Sequence, residues 1–112
     1  KALLAVYERA IEHCLPGASL AELDRLIRDG IAEAGYSGQP SHPVCHSVGA
    51  RAHEPPYAHQ RGEGAIQEGM VLAIEPGMYW EGGGGLRVED NFLITGDGAE
   101  KLSPFPDGVV CG

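Results

Sequence analysis

The chain is short of positive charge, aromatic rings, cysteine and long apolar runs, and each shortage excludes something. Lys and Arg total 8 against 16 Asp and Glu, for a formal net charge of −8. That balance argues against a nucleic-acid groove and against an anionic membrane surface, because both are held by clustered Lys and Arg. No apolar run approaches the ~20 residues that span a bilayer. Cys14, Cys45 and Cys111 are odd in number and widely spaced, with no CxxC pair. This excludes a disulfide framework and a zinc knuckle, and a reduced, cytoplasmic protein is expected. There is no signal-peptide pattern, since Lys1 leads straight into an amphipathic segment. We read Lys1 as the start of a fragment. With 112 residues the chain is one domain at most, with a modest core.

What is present falls into two parts. Leu3, Leu4, Tyr7, Ile11 and Cys14 share one face of a helix that Pro16-Gly17 ends. Ser19 is a good N-cap for a second helix, with Glu22 as its capping-box partner. The buried stripe of that helix is Leu20, Leu23, Ile27, Ile31 and Ala34, and Gly35 suits the left-handed position after its end. From Tyr36 the period changes. Short strands are predicted at residues 48–52, at Val71–Ile74, at 92–95 and at 99–102, with a hairpin formed by 78–80 and 86–88 around a glycine tip at 82–85. The four glycines lack the spacing of a phosphate loop, and no helix follows them. Two helices followed by antiparallel strands indicate an α+β layer.

The chemistry concentrates in three stretches, HPVCHSVGARAHEPP, IEPGMY and GGLRVEDN. They carry His42, His46, His53, Glu75, Arg87 and Glu89. Neutral imidazole and carboxylate together suit a borderline or hard divalent ion, and the carboxylates offset its charge. On a strand His42 and His46 share a face, whereas His53 needs a bend, which Gly49 could supply, to join them. Spacing alone leaves open both a metal site and ordinary surface or core histidines. Glu75 ends an apolar run, where a carboxylate needs a partner, either a metal or an arginine. For Glu89 a plain Arg87–Glu89 pair and a metal-bound carboxylate steadied by Arg87 are equally consistent with the spacing. Asp90 is expected in a turn or solvent, Cys45 as a buried thiol rather than a nucleophile, and His13 and His59 at the surface. Tyr57 and Trp80 could line a pocket but are expected in the core.

Taken together, HPVCHSVGARAHEPP, EGMVLAIEPGMYW and GGLRVEDNFLITGDGAEKLS resemble the C-terminal half of the pitta-bread metallopeptidase domain. That domain is shared by methionine aminopeptidase, aminopeptidase P, prolidase and creatinase. The stretch AELDRLIRDGIAEAGY resembles the helices before this half, so the likeness covers nearly all of residues 1–112. The short hairpin between IEPGMY and GGLRVEDN, and the Arg-x-Glu-Asp form, place the sequence nearer the Xaa-Pro peptidases than methionine aminopeptidase.

The resemblance implies a fold, half of a pitta-bread domain with two helices on an antiparallel sheet. It also implies roles. His46, Glu75 and Glu89 match metal ligands, Glu75 also being the candidate general acid/base and Glu89 the bridge between two metals. His53 matches a histidine that contacts substrate and steadies the tetrahedral intermediate, His42 a further substrate-site histidine, and Arg87 an arginine that fixes the ligating carboxylates. The implied cofactor is two divalent ions (Mn, Co or Zn), and the implied reaction is attack on the bond before proline by metal-bound hydroxide. The implied partners are a peptide or Xaa-Pro dipeptide, the upstream half of the domain, and further copies in a homo-oligomer. Two alternatives on the same fold are a creatinase-like hydrolase and a non-catalytic peptide-binding module. The sequence departs from the family at Cys45 and Ser47, where glycine is usual. The family's two aspartate ligands precede the first helix and are not in this chain, and Asp24 and Asp29 on the second helix cannot replace them.

Overall fold

The computed structural model describes residues 1–36, 40–59 and 62–104, so Cys111 lies outside the described residues. The elements are α1 (Ala2–His13), α2 (Leu20–Glu33), β1 (Cys45–Ser47), β2 (Glu54–Tyr57), β3 (Val71–Ile74), β4 (Gly77–Trp80), β5 (Gly84–Arg87), β6 (Asp90–Thr95) and β7 (Gly98–Lys101). Five strands form one sheet in the order β2-β1-β3-β6-β7, and β4-β5 form a separate two-stranded ribbon. All of these pairings are antiparallel. No helix among the described residues is long and apolar enough to cross a membrane.

Both helices form where their apolar spacing places them, with small adjustments. In α1 the buried stripe is Leu3, Val6, Tyr7 and Ala10, followed by Cys14 after the helix end. Leu4 and Ile11 are only partly covered, because the buried face is centred on the row through Val6 and Ala10. In α2 the Ser19 hydroxyl accepts from Glu22 N–H at 3.2 Å, which closes the first turn. Leu20, Leu23, Ile27 and Ile31 are buried. Ala34, expected in the stripe, is exposed, because it is the C-cap and has left the helical face. Gly35 follows with φ +90°, which a side chain would strain. Helix α1 packs on α2 and on β3 and β7, and one apolar core joins helices and sheet.

The strand expected at residues 48–52 is not there. The strand is β1 at Cys45–Ser47, set by its register with β3, in which His46 pairs with Ala73. Val48 N–H still reaches Val71 O at 2.9 Å, and the chain then bends through 49–53. Strand β2 was not anticipated because it contains Pro55 and Pro56, which disfavour a strand. It is an edge strand, where a missing N–H costs no ladder bond. Strand β6 opens at Asp90, two residues before the predicted start, and the glycine-rich hairpin is β4–β5.

Candidate metal centre

His46 sits at the middle of β1, and Glu75 directly follows β3, its own N–H donating to Val44 O at 2.9 Å. The strand pairing therefore places an imidazole and a carboxylate side by side, 2% and 3% exposed. His46 Nε2 lies 3.2 Å from Glu75 Oε1. Neither atom has a hydrogen-bond partner. His46 Nδ1 is 3.0 Å from Ser47 O, and a carbonyl only accepts, so Nδ1 carries the proton and donates. Nε2 is then a bare lone pair facing a bare carboxylate oxygen. Two such atoms buried together are costly unless a cation or a proton lies between them. A divalent ion fits this donor set, and the backbone bond to Nδ1 is the support that fixes the tautomer of a ligating histidine.

His53 is exposed, yet its ring lies on that of His46, with centroids 4.3 Å apart and planes 34° apart. One donor atom from each of His46, His53 and Glu75 falls within 4.8 Å of the other two. Glu89 is outside this trio. It sits in the link between β5 and β6, 44% exposed, and is tied to the centre by Arg87. Arg87 Nη1 is 3.8 Å from Glu75 Oε2, and Arg87 Nε is 3.7 Å from Glu89 Oε2. One guanidinium thus spans both carboxylates.

His42 borders the centre from the other side. Its Nδ1 is 2.8 Å from Pro43 O and 4.0 Å from Glu75 Oε1. Both neighbours are acceptors, so Nδ1 carries the proton and Nε2 accepts from the Tyr79 hydroxyl at 2.8 Å. Tyr79 is a site residue that sequence reasoning missed. Its signal was the pair of glycines around it. A Cβ at Gly77 would stand 2.5 Å from the Tyr79 hydroxyl, and one at Gly85 would stand 2.3 Å from Cδ1 of the ring. The tyrosine reaches His42 only because both positions lack a side chain. The segment bearing His42 is also tethered from α2. Asp24, buried, accepts from Arg28 Nε at 3.1 and 3.0 Å, and Arg28 donates to Pro40 O and His42 O.

Three expectations change. Asp90 is buried rather than in a turn or solvent: it accepts from Tyr7 at 2.6 Å and lies 3.4 Å from Lys101 Nζ. Helix α1 covers this face of the sheet and supplies the donor that makes burial tolerable. Tyr57 and Trp80 are exposed by 40% and 42% rather than core, because β2 is an edge and β4 belongs to the separate ribbon. Tyr57 lines a cavity of about 530 Å³ together with Arg28, His42 and His59. His59 is exposed there, and His13 is half-buried with Nε2 3.2 Å from Ser19 O. Cys45 is a buried thiol whose pKa is raised well above its ordinary value, first by burial and then by nearby Cys14, Glu75 and Asp24. Cys14 is pushed up to about 12 by burial. Both stay protonated at neutral pH, which suits packing rather than nucleophilic attack.

A buried imidazole and carboxylate with bare lone pairs, crowned by a second imidazole at the ends of antiparallel strands, define a divalent-metal site of the hydrolytic kind. Residues 1–96 match metallopeptidase family M24, and the chain belongs to that family. It is 42% identical over 101 residues to an Xaa-Pro dipeptidase of Pyrococcus horikoshii, spanning 90% of this chain and 29% of that protein. The solved prolidase from Pyrococcus furiosus superposes with a TM-score of 0.87 at 41% identity, over 94% of this chain and 31% of that one. A methionine aminopeptidase from Thermotoga maritima superposes with a TM-score of 0.74 at 27% identity, over 90% of this chain and 49% of that one. The fold is thus the α+β, pitta-bread type that the motifs implied. The chain spans less than a third of the length of the dipeptidases it matches.

Proposed function

We propose that these residues form the histidine- and glutamate-bearing part of a two-metal peptidase that hydrolyses the bond before proline in a dipeptide or at a peptide N-terminus. The observation that carries the reading is the buried His46 Nε2–Glu75 Oε1 pair, 3.2 Å apart, with neither atom hydrogen-bonded. His46, Glu75 and, for a second ion, Glu89 would hold divalent metal (Mn, Co or Zn), and the upstream half of the domain would complete the coordination. When bound, the ions supply Lewis-acid polarisation of the carbonyl and a water of lowered pKa. Glu75 is placed to move a proton, since its second oxygen, Oε2, faces Arg87 rather than His46. His53, exposed above His46, would donate to the carbonyl oxygen as charge develops there. His42, with its Nδ1 proton toward Glu75, walls the cavity of about 530 Å³, a size that suits a small peptide. The preference for Xaa-Pro rests on the relatives' names and on the short link between the IEPGMY and GGLRVEDN motifs.

A peptide-binding module without metal would leave the His46–Glu75 pair uncompensated. Two buried free thiols suit a reducing cytoplasm. Exposed Trp80, Leu86 and Leu102 offer apolar surface to the rest of the domain and to further copies in a homo-oligomer. The full protein should bind Mn²⁺ or Co²⁺ and cleave an Xaa-Pro dipeptide faster than an Xaa-Ala control, and lose that activity to a chelator. Residues 1–112 alone should show no comparable turnover until the upstream half is supplied in trans. A metal-free full protein that retains peptidase activity would overturn the reading.

A further inference from the structure

The connection between β1 and β2 does not continue the strand register. His46 pairs with Tyr57 and Ser47 with Glu54, so the alignment shifts between adjacent positions of β1. The chain between them closes on itself. Gly49 N–H donates to Arg51 O at 3.2 Å, and Arg51 N–H donates to Glu54 Oε2 at 3.2 Å. The Glu54 carboxylate lies directly over Gly49. A Cβ built at position 49 would stand 2.0 Å from Oε1 and 2.6 Å from the carboxylate carbon. Glycine at 49 and a carboxylate at 54 therefore fill one volume between them. His53 is the residue next to Glu54, and its ring is the one that lies 4.3 Å from that of His46.

We propose that Glu54 is a positioning residue, whose carboxylate, seated over Gly49 and holding Arg51 N–H, sets the 49–54 loop in the shape that places His53 against His46. Without that seat nothing in the loop's own backbone pattern selects this placement. Pro55 and Pro56 follow and have no N–H to contribute, and the sole backbone bond within 49–54 is Gly49 to Arg51 among the described residues. Because the carboxylate spans positions 49, 51 and 54, its loss frees the segment that presents His53. The His46–His53 contact is a property of the protein without metal, so it can be read independently of activity. The catalytic consequence rests on the function proposed above, in which a displacement of His53 by about 1 Å costs on the order of 10²-fold in rate.

The test is made in the full protein. The metal-free state is examined for a nuclear Overhauser cross-peak between the His46 and His53 ring protons, and the Mn²⁺-loaded state for Xaa-Pro hydrolysis. Glu54→Ala and Gly49→Ala should each lose the cross-peak and lower kcat by on the order of 10²-fold with KM little changed. Glu54→Gln keeps an acceptor for Arg51 N–H in the same seat and should retain the cross-peak and most of kcat. The double substitution should be no worse than either single one, since both empty or block one seat. Survival of the cross-peak and kcat in Glu54→Ala would overturn the proposal, as would a Glu54→Gln variant as damaged as Glu54→Ala. If Glu54→Ala does not fold, Gly49→Ala and Glu54→Gln decide by the same two readouts. A cross-peak controlled by Glu54 in a protein that hydrolyses no peptide would uphold the positioning role and defeat the peptidase reading alone.

Discussion

Glu75 and Asp90 are buried acids on neighbouring strands of one sheet, and the protein treats them oppositely. Ile74 pairs with Asp90, so Glu75, one residue further on, projects to the other side. On the helix side Asp90 accepts from Tyr7 of α1 at 2.6 Å and lies 3.4 Å from Lys101. On the open side Glu75 Oε1 faces the lone pair of His46 and has no donor. Asp24 follows the Asp90 pattern, with Arg28 bonding both its oxygens. A buried acid that is fully paired holds the fold, whereas one that is left bare is reserved for a ligand.

Four substitutions sharpen or break this contrast. Glu75→Gln should have the largest effect. Metal binding should be lost, and kcat should fall by on the order of 10²–10⁴-fold or more. Thermal stability of the metal-free protein should hold or rise, because an uncompensated charge is removed. A variant that unfolds while still binding metal would place Glu75 with Asp90. His53→Ala should lower kcat by on the order of 10²-fold and leave metal content intact. Loss of metal, measured by elemental analysis, would instead make His53 a ligand, as its place in the trio allows.

Asp90→Ala should do the reverse of Glu75→Gln. Removing the acceptor of Tyr7 should cost about 2–3 kcal/mol in urea unfolding, while the folded fraction keeps its metal affinity. Unchanged stability with lost metal would break the comparison. Tyr79→Phe should be the mildest. It removes the donor to His42 Nε2, which costs about 0.5–1.5 kcal/mol, so kcat/KM should fall by roughly three- to tenfold. No change in kcat/KM would mean that His42 is oriented by Pro43 O alone.

The chain's local physics was legible in its order of residues. The apolar spacing of α1 and α2, the Ser19 cap and the left-handed Gly35 depend on positions a few residues apart, and the structure keeps them. Glu75 could be singled out because a carboxylate closing an apolar run is anomalous wherever the run folds. The three motifs named His42, His46, His53, Arg87 and Glu89 as well. What they could not supply was which donors meet. That depends on the β1–β3 register, which sets His46 beside Glu75, and on the shift between β1 and β2, which turns His53 onto His46. It also depends on helix α1 covering one face of the sheet, which makes Asp90 structural, and on the ribbon that carries Tyr79 to His42. Sequence periodicity reports the face of a single element. Strand register and layer packing, which bring distant positions together, are properties of the folded whole, and they alone separated the acid that holds the fold from the one left open to a metal.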